Sequence, residues 1–183
     1  FIRKYSFKRI HLELTKLIIA NRSILGNPRI IQMSALGASR SHKTDFLKTK
    51  GQADDYLLQF PNAVIVRPSI VCTHRTMMVK KMLMLLKVSQ WLRKRVIVPT
   101  GFPDRRFQPV MPEDLAAIVA NLCRAAEPQT VLNVTGPNPI AFPQIIDMLF
   151  QAQKSKYRII ELSRFWTDVI VRYVTSIVFP HFI

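Results

Sequence analysis

Ser34, Phe46 and Lys50 are the residues whose types and spacing come nearest to chemistry in this chain. They lie in "SALGAS" (34–39) and in "TDFLKTKGQADDYL" (44–57), where positions 46 and 50 stand one helical turn apart on a single face. A tyrosine at 46 would make this a proton-transfer site, because a free phenol has a pKa of about 10 and a neighbouring ammonium group favours the phenolate, drawing it toward neutrality. Position 46 holds a phenylalanine, which can neither titrate nor donate. Tyr56 falls further along the helix and faces elsewhere. His42, in the loop before the helix, reads either as a solvated histidine or as a group within reach of the site.

No second constellation presents itself. His11, His42, His74 and His181 are dispersed and form no H-x-x-x-H pair, and Cys72 and Cys123 match no metal spacing, so a buried reduced thiol is expected for each. With 183 residues the chain is most simply one domain, and 49% hydrophobic residues argue for a packed core and against disorder. Charge is the outlier: 27 Lys+Arg against 11 Asp+Glu leave +16. Such an excess attracts phosphates, anionic lipid heads or acidic protein surfaces. The basic residues come in small clusters (Arg3-Lys4, Lys8-Arg9, Lys80-Lys81, Arg93-Lys94-Arg95, Arg105-Arg106, Lys154 to Arg158), which suits solvated faces beside an acidic partner as well as it suits lipid or nucleic acid. The first twenty residues mix charged and apolar positions and lack a small-residue cleavage site, so no secretory signal is read there.

The elements that must position these residues follow from the apolar periodicity. Phe7, Ile10, Leu14, Leu17 and Ile18 keep helical spacing from Tyr5 to about Ala20, and "NPRIIQMS" then gives a short strand. A second helix is predicted from about Asp45 to Phe60, with Phe46, Leu47, Ala53, Leu57 and Phe60 inward, followed by the strand "NAVIVRPS". The unit repeats: a Met-rich helix (77–92) before "RVIVP", then "PEDLAAIVANLCRAA", with its Pro-acidic helix start, before "TVLNVTGP". "AFPQIIDMLFQAQ" adds a helix and "YRIIEL" a strand. Continuous apolar strands separated by helices imply a parallel sheet covered on both faces, an α/β layered fold.

Residues 163–183 form the most apolar stretch. Asp168, Arg172 and Thr175 share one helical face and Trp166, Val169, Ile170, Tyr173, Val174 and Ile177 the other. Three readings stay open: docking on the domain or on a partner protein, lying in a membrane interface, or beginning a truncated transmembrane region.

"SALGAS", "DFLKTKGQADDYL", "VIVRPSIV", "RRFQPVMPEDLAAIV" and "LNVTGPNPIAFPQII" resemble, in order and spacing over roughly residues 5–153, successive landmarks of the atypical, extended short-chain dehydrogenase/reductase superfamily. Within it they look most like the branch holding the NADPH-binding accessory subunit of respiratory complex I and bacterial epimerase-like relatives. The resemblance implies a Rossmann-like fold over residues 1–162, N-terminally incomplete, with residues 163–183 as a small C-terminal helical extension. It also implies NADP or NAD as cofactor, with Lys50 as the ribose-binding lysine, Ser34 as the substrate or nicotinamide contact, and Pro68 and Ser69 at a strand-end bend beside the cofactor. Phe46 occupies the position of the family's catalytic tyrosine.

The chain also departs from the family. Thr73-His74-Arg75 stand where a Gly-Pro-type turn is usual. Gln108 and Pro109 resemble the segment before a helix that Asp114 is expected to cap, and Gly136-Pro137 reads as a turn. Gly26, Gly37, Gly51, Gly101 and Gly136 are the only glycines, and no two are close enough to build the G-x-G-x-x-G loop that cradles a pyrophosphate. Together with the opening at Phe1, this suggests the C-terminal two thirds of a larger ancestor.

The expectation is a dehydrogenase-like, NAD(P)-binding-type accessory or structural subunit without standard catalysis. Alternatives are an active reductase or epimerase completed by a further N-terminal piece, and a basic module holding RNA or anionic membrane. The resemblance implies partner subunits of a membrane-associated assembly and an anionic membrane surface before nucleic acid, on the matrix side of the mitochondrial inner membrane or at a bacterial membrane periphery or cytoplasm.

Overall fold

In the computed structural model, the residues described are 6–73, 95–99, 106–124, 130–151 and 158–163, with 80, 84, 87, 88, 91 and 165 singly. Helix α1 is a π-helical turn, Arg9–Glu13, running into α-helix Leu14–Ala20. Strand β1 is Ile30–Met33, α2 is Asp45–Leu57 and β2 is Ala63–Pro68. Then come β3 (Arg95–Pro99), β4 (Arg106–Phe107), α3 (Pro112–Arg124), β5 (Thr130–Val134), β6 (Ile140–Ala141), α4 (Phe142–Gln151) and β7 (Arg158–Leu162). The chain forms two compact units, Phe1–Ser69 with Pro112–Thr135 and Ile70–Met111 with Gly136–Ile183.

The first unit holds a three-stranded parallel sheet in the order β1-β2-β5. Ala63, Val64, Ile65 and Val66 of the central strand have no exposed surface, as a continuous apolar run between two parallel neighbours requires. Alternation sends Ala63 and Ile65 to one face, against Ile19 of α1 and Leu57 of α2, and Val64 and Val66 to the other. Full burial of side chains such as Leu57, Ile65 and Val66 stabilises the unit by about 1.5–3 kcal/mol each. Helix α2 starts where Thr44 is extended (φ −90°, ψ 137°) and Asp45 meets the helix dipole. Its inward face differs from the apolar count: Ala53 and Leu57 are buried, but so are Thr49, Gly51 and Asp54, while Phe46, Leu47 and Phe60 are only half-buried. Gly51 is required by close approach, since a Cβ there would run into the backbone of Ser39. The "SALGAS" loop thus lies directly on α2, turned by Gly37 at φ +81°.

The second unit contains a parallel pair, β3 with β7, and an antiparallel pair, β4 with β6. The strands therefore do not join one sheet, as their common apolar character had suggested. Pairing depends on partners distant in sequence, which strand composition does not encode. Gly136 lies against the carbonyl of Pro109, and its amide donates to Gln108 O at 3.2 Å, which fits a turn of structural role. Asp114 sits inside the first turn of α3, where its charge favours the dipole, and not at the cap. Cys72 and Cys123 are exposed, which corrects the expectation of buried thiols. The Met-rich helix is described only at residues 80, 84, 87, 88 and 91, all helical. The C-terminal segment from 166 onward, which carries most of the expected helical extension, and Lys154 to Lys156 lie outside the described residues. Among the described residues no helix is long and apolar enough to cross a membrane.

Candidate functional site

The carboxyl ends of β1 and β2 gather all four of the cofactor-binding residues named from the sequence. Ser34 follows β1 directly, its amide donating to Val66 O at 2.7 Å. Pro68 ends β2 and accepts from the amide of Leu36 at 2.9 Å, and Ser69, next along, donates its amide to Val134 O at 2.8 Å. Lys50 comes in from α2 and donates from Nζ to Met33 O at 2.8 Å. This end of a parallel sheet is where α/β folds place ligands.

Phe46 stands where the spacing put it. Its ring centroid is 6.0 Å from Lys50 Nζ, and the ring also meets two aromatic side chains. Phe7 meets it edge-on at 5.6 Å and His11 at 5.4 Å, while Phe7 and His11 stack at 5.5 Å and 16°. The three rings join the π turn of α1 to the first turn of α2. Tyr56 packs against Phe60 on the core side, and His42 turns back on its own loop, with Nδ1 accepting from the Thr44 amide at 3.0 Å. Neither is drawn to Phe46 by any contact described.

The residue that sequence reasoning missed is Asp54. It has no exposed surface, yet its carboxylate accepts from Ser34 Oγ at 2.8 Å, Gln32 Nε2 at 2.9 Å and Arg67 Nε at 2.9 Å. A buried carboxylate is tolerated only when paired and hydrogen-bonded in this way. The signal was present: 46, 50, 54 and 57 recur along one helical face, so an acid at 54 sits between Lys50 and Leu57. The network also limits Ser34, whose single hydroxyl proton is committed to Asp54. Toward any bound molecule Ser34 presents lone pairs only.

Electrostatics around the rings follow from burial. Burial holds the Lys50 ammonium below the ordinary lysine value, with the Asp54 charge pulling the other way. Burial and the nearby Lys50 charge push the His11 imidazole down to about 4. Thr49 Oγ1 gives its proton to Asp45 O at 2.7 Å, so the 2.9 Å contact with His11 is made by the Nδ1–H of a neutral ring. Between the unfolded value of about 6.5 and about 4, the unfolded chain binds a proton at His11 that the folded chain refuses. Stability present above pH 6.5 is therefore lost as pH falls through this window. The ring is only partly buried, so screening leaves about 1 kcal/mol of this dependence. Denaturant midpoints of the parent should fall between pH 7 and 4, and His11→Gln should flatten that fall (about 1 kcal/mol).

Comparison with known proteins adds the architecture's relatives. No protein-family model and no curated protein matches the sequence. Among solved structures, RMD from Pseudomonas aeruginosa complexed with NADPH superposes with a TM-score of 0.65 at 14% identity, over 86% of this chain and 62% of that one. A dTDP-4-dehydrorhamnose reductase from Clostridium acetobutylicum gives 0.67 at 16%, over 85% and 57%. The chain shares the α/β, Rossmann-like fold of these reductases. A UDP-N-acetylglucosamine 4-epimerase from Methanobrevibacter ruminantium, in complex with UDP-N-acetylmuramic acid, shares it at 0.62 and 11% identity, over 84% and 56%. The chain spans only 56–62% of these three proteins' lengths. Within this fold, Ser34 and Lys50 lie at the carboxyl end of β1, the end at which such sheets hold ligands.

Proposed function

We propose that this chain is an NAD(P)-binding-type domain that has lost the standard proton-transfer step and serves as an accessory or structural subunit of a larger assembly. The observation that carries the reading is the Lys50 ammonium held one turn from Phe46, 6.0 Å from a ring that lacks the oxygen such an ammonium would act on. NADPH in RMD and NADP or NAD in further structures of the same fold support a dinucleotide as the ligand class. Lys50 would meet the nicotinamide ribose, while Pro68 and Ser69 would border the ring. These residues fit the ribose–nicotinamide end, and no glycine loop for the pyrophosphate accompanies them within residues 1–183.

The landmark resemblance to the complex I accessory subunit type supports the subunit role, and with it a setting at the matrix side of the mitochondrial inner membrane or a bacterial membrane periphery. Titration with NADPH and NADH, in the parent and in Lys50→Ala, tests the reading. Saturable binding weakened by Lys50→Ala, without turnover of carbonyl or nucleotide-sugar substrates, is the expected result. Absence of binding by either dinucleotide would reduce the role to scaffold. Turnover that Lys50→Ala abolishes would overturn the loss of catalysis.

A further inference from the structure

Lys80, Met84, Lys87, Val88 and Trp91 are all helical and all exposed, and in the helix that the sequence predicts over 77–92 their spacing places them on one face. Trp91 is 83% exposed, Met84 48% and Val88 40%. An exposed tryptophan of this degree beside two further apolar side chains is a feature that soluble surfaces ordinarily avoid. The sequence around it is one-sided in charge. No Asp or Glu occurs between Asp55 and Asp104, while Arg75, Lys80, Lys81, Lys87, Arg93, Lys94 and Arg95 do. The apolar stripe thus ends, at Trp91, beside a run of three cations of which Arg95 is exposed.

We propose that this helix face is a docking surface for an anionic lipid bilayer, lying in the interface with Trp91, Met84 and Val88 toward the acyl boundary and Lys80 and Lys87 toward the headgroups. Each residue type suits that geometry. The indole carries an apolar body and one N–H, so it rests at the headgroup level, where one side is wet and the other apolar. Lysine stems lie along apolar surface while the ammonium reaches back to phosphate. A stretch of chain without carboxylates meets no repulsion from an anionic leaflet. An RNA backbone would satisfy the cations but leaves Met84 and Val88 without a partner, and an acidic protein surface does the same. The contact is interfacial and does not span the membrane.

The whole chain, carrying Trp166→Phe so that Trp91 is the only indole, is sedimented with vesicles of phosphatidylcholine alone and of phosphatidylcholine with phosphatidylserine. Expected are pelleting with the anionic vesicles only, weakening as salt is added, and a blue shift of the Trp91 emission. Lys80→Glu with Lys87→Glu should lower the partition coefficient at least about tenfold, and Trp91→Asp should do likewise. These positions are solvent-exposed, and unchanged circular dichroism would verify that the variants fold. Three results would overturn the proposal: no pelleting at low salt, pelleting undiminished in the variants, or an unshifted emission. Binding to a single-stranded oligonucleotide in the absence of vesicle binding would overturn it equally, assigning the face to nucleic acid.

Discussion

Asp54→Ala is expected to lose about 3–5 kcal/mol of stability, a large fraction of the about 5–14 kcal/mol that a unit of this size possesses. The carboxylate has no exposed surface and is the common acceptor for Ser34, Gln32 and Arg67. Its removal leaves the Arg67 guanidinium, whose side chain is 22% exposed, without its counter-ion, and two further donors in the interior without acceptors. Ser34→Ala removes one hydrogen bond of the same cluster and should cost only about 1–2 kcal/mol. The cost in Asp54→Ala is mostly that of stranding a charge. Arg67→Met placed on top of Asp54→Leu should therefore recover part of the loss, giving a coupling of opposite sign to simple addition. Urea midpoints of the parent and the four variants check this order. An Asp54→Ala within about 1 kcal/mol of the parent would show that the cluster holds nothing together.

The difference between Asp54 and its neighbour explains what the sequence could and could not disclose. Asp55 pairs with Arg40 at 3.4 Å on the surface, where the two side chains are 43% and 76% exposed, and such a pair contributes little. "DD" within an amphipathic helix reads naturally as two solvated acids, and only the registration with Phe46, Lys50 and Leu57 separates them. Lys50 and Phe46 were legible because helical spacing alone sets them one turn apart. The strands β1, β2, β3, β5 and β7 were legible as continuous apolar runs. Strands β4 and β6 were not, since each is two residues long and exists through pairing across more than thirty positions, Arg106 with Ala141 and Phe107 with Ile140. His11 escaped notice for a similar reason. Its environment is made by residues from another helix, Thr49, Phe46 and Lys50, and helix α1 read by itself shows a lone histidine.

Phe46 accounts for the preserved geometry and, on the proposed reading, for the loss of the standard proton transfer. In the aromatic cluster with Phe7 and His11, a phenyl ring at 46 gains edge-to-face contacts worth about 0.5–1.5 kcal/mol each. The position is stable without a hydroxyl, and Lys50 remains fixed by its bond to Met33 O. An ammonium 6.0 Å from the ring centre interacts with a charge there by about 2–3 kcal/mol at an effective dielectric constant of about 20. A phenol installed at this site would feel that field as a pKa lower by about 1–2 units, moderated by partial exposure. Lys50 titrates below its usual value, so the apparent constants belong to the lysine–phenol pair.

Spectrophotometric titration of Phe46→Tyr, with the parent's four native tyrosines subtracted, measures that pair directly. The new phenol should ionise about one unit or more below the ordinary value of about 10, and Lys50→Met in the same background should return it to that value or above. A phenol that titrates near 10 whether or not Lys50 is present would contradict the account, because the ammonium would then not be directed at the place from which the hydroxyl is absent.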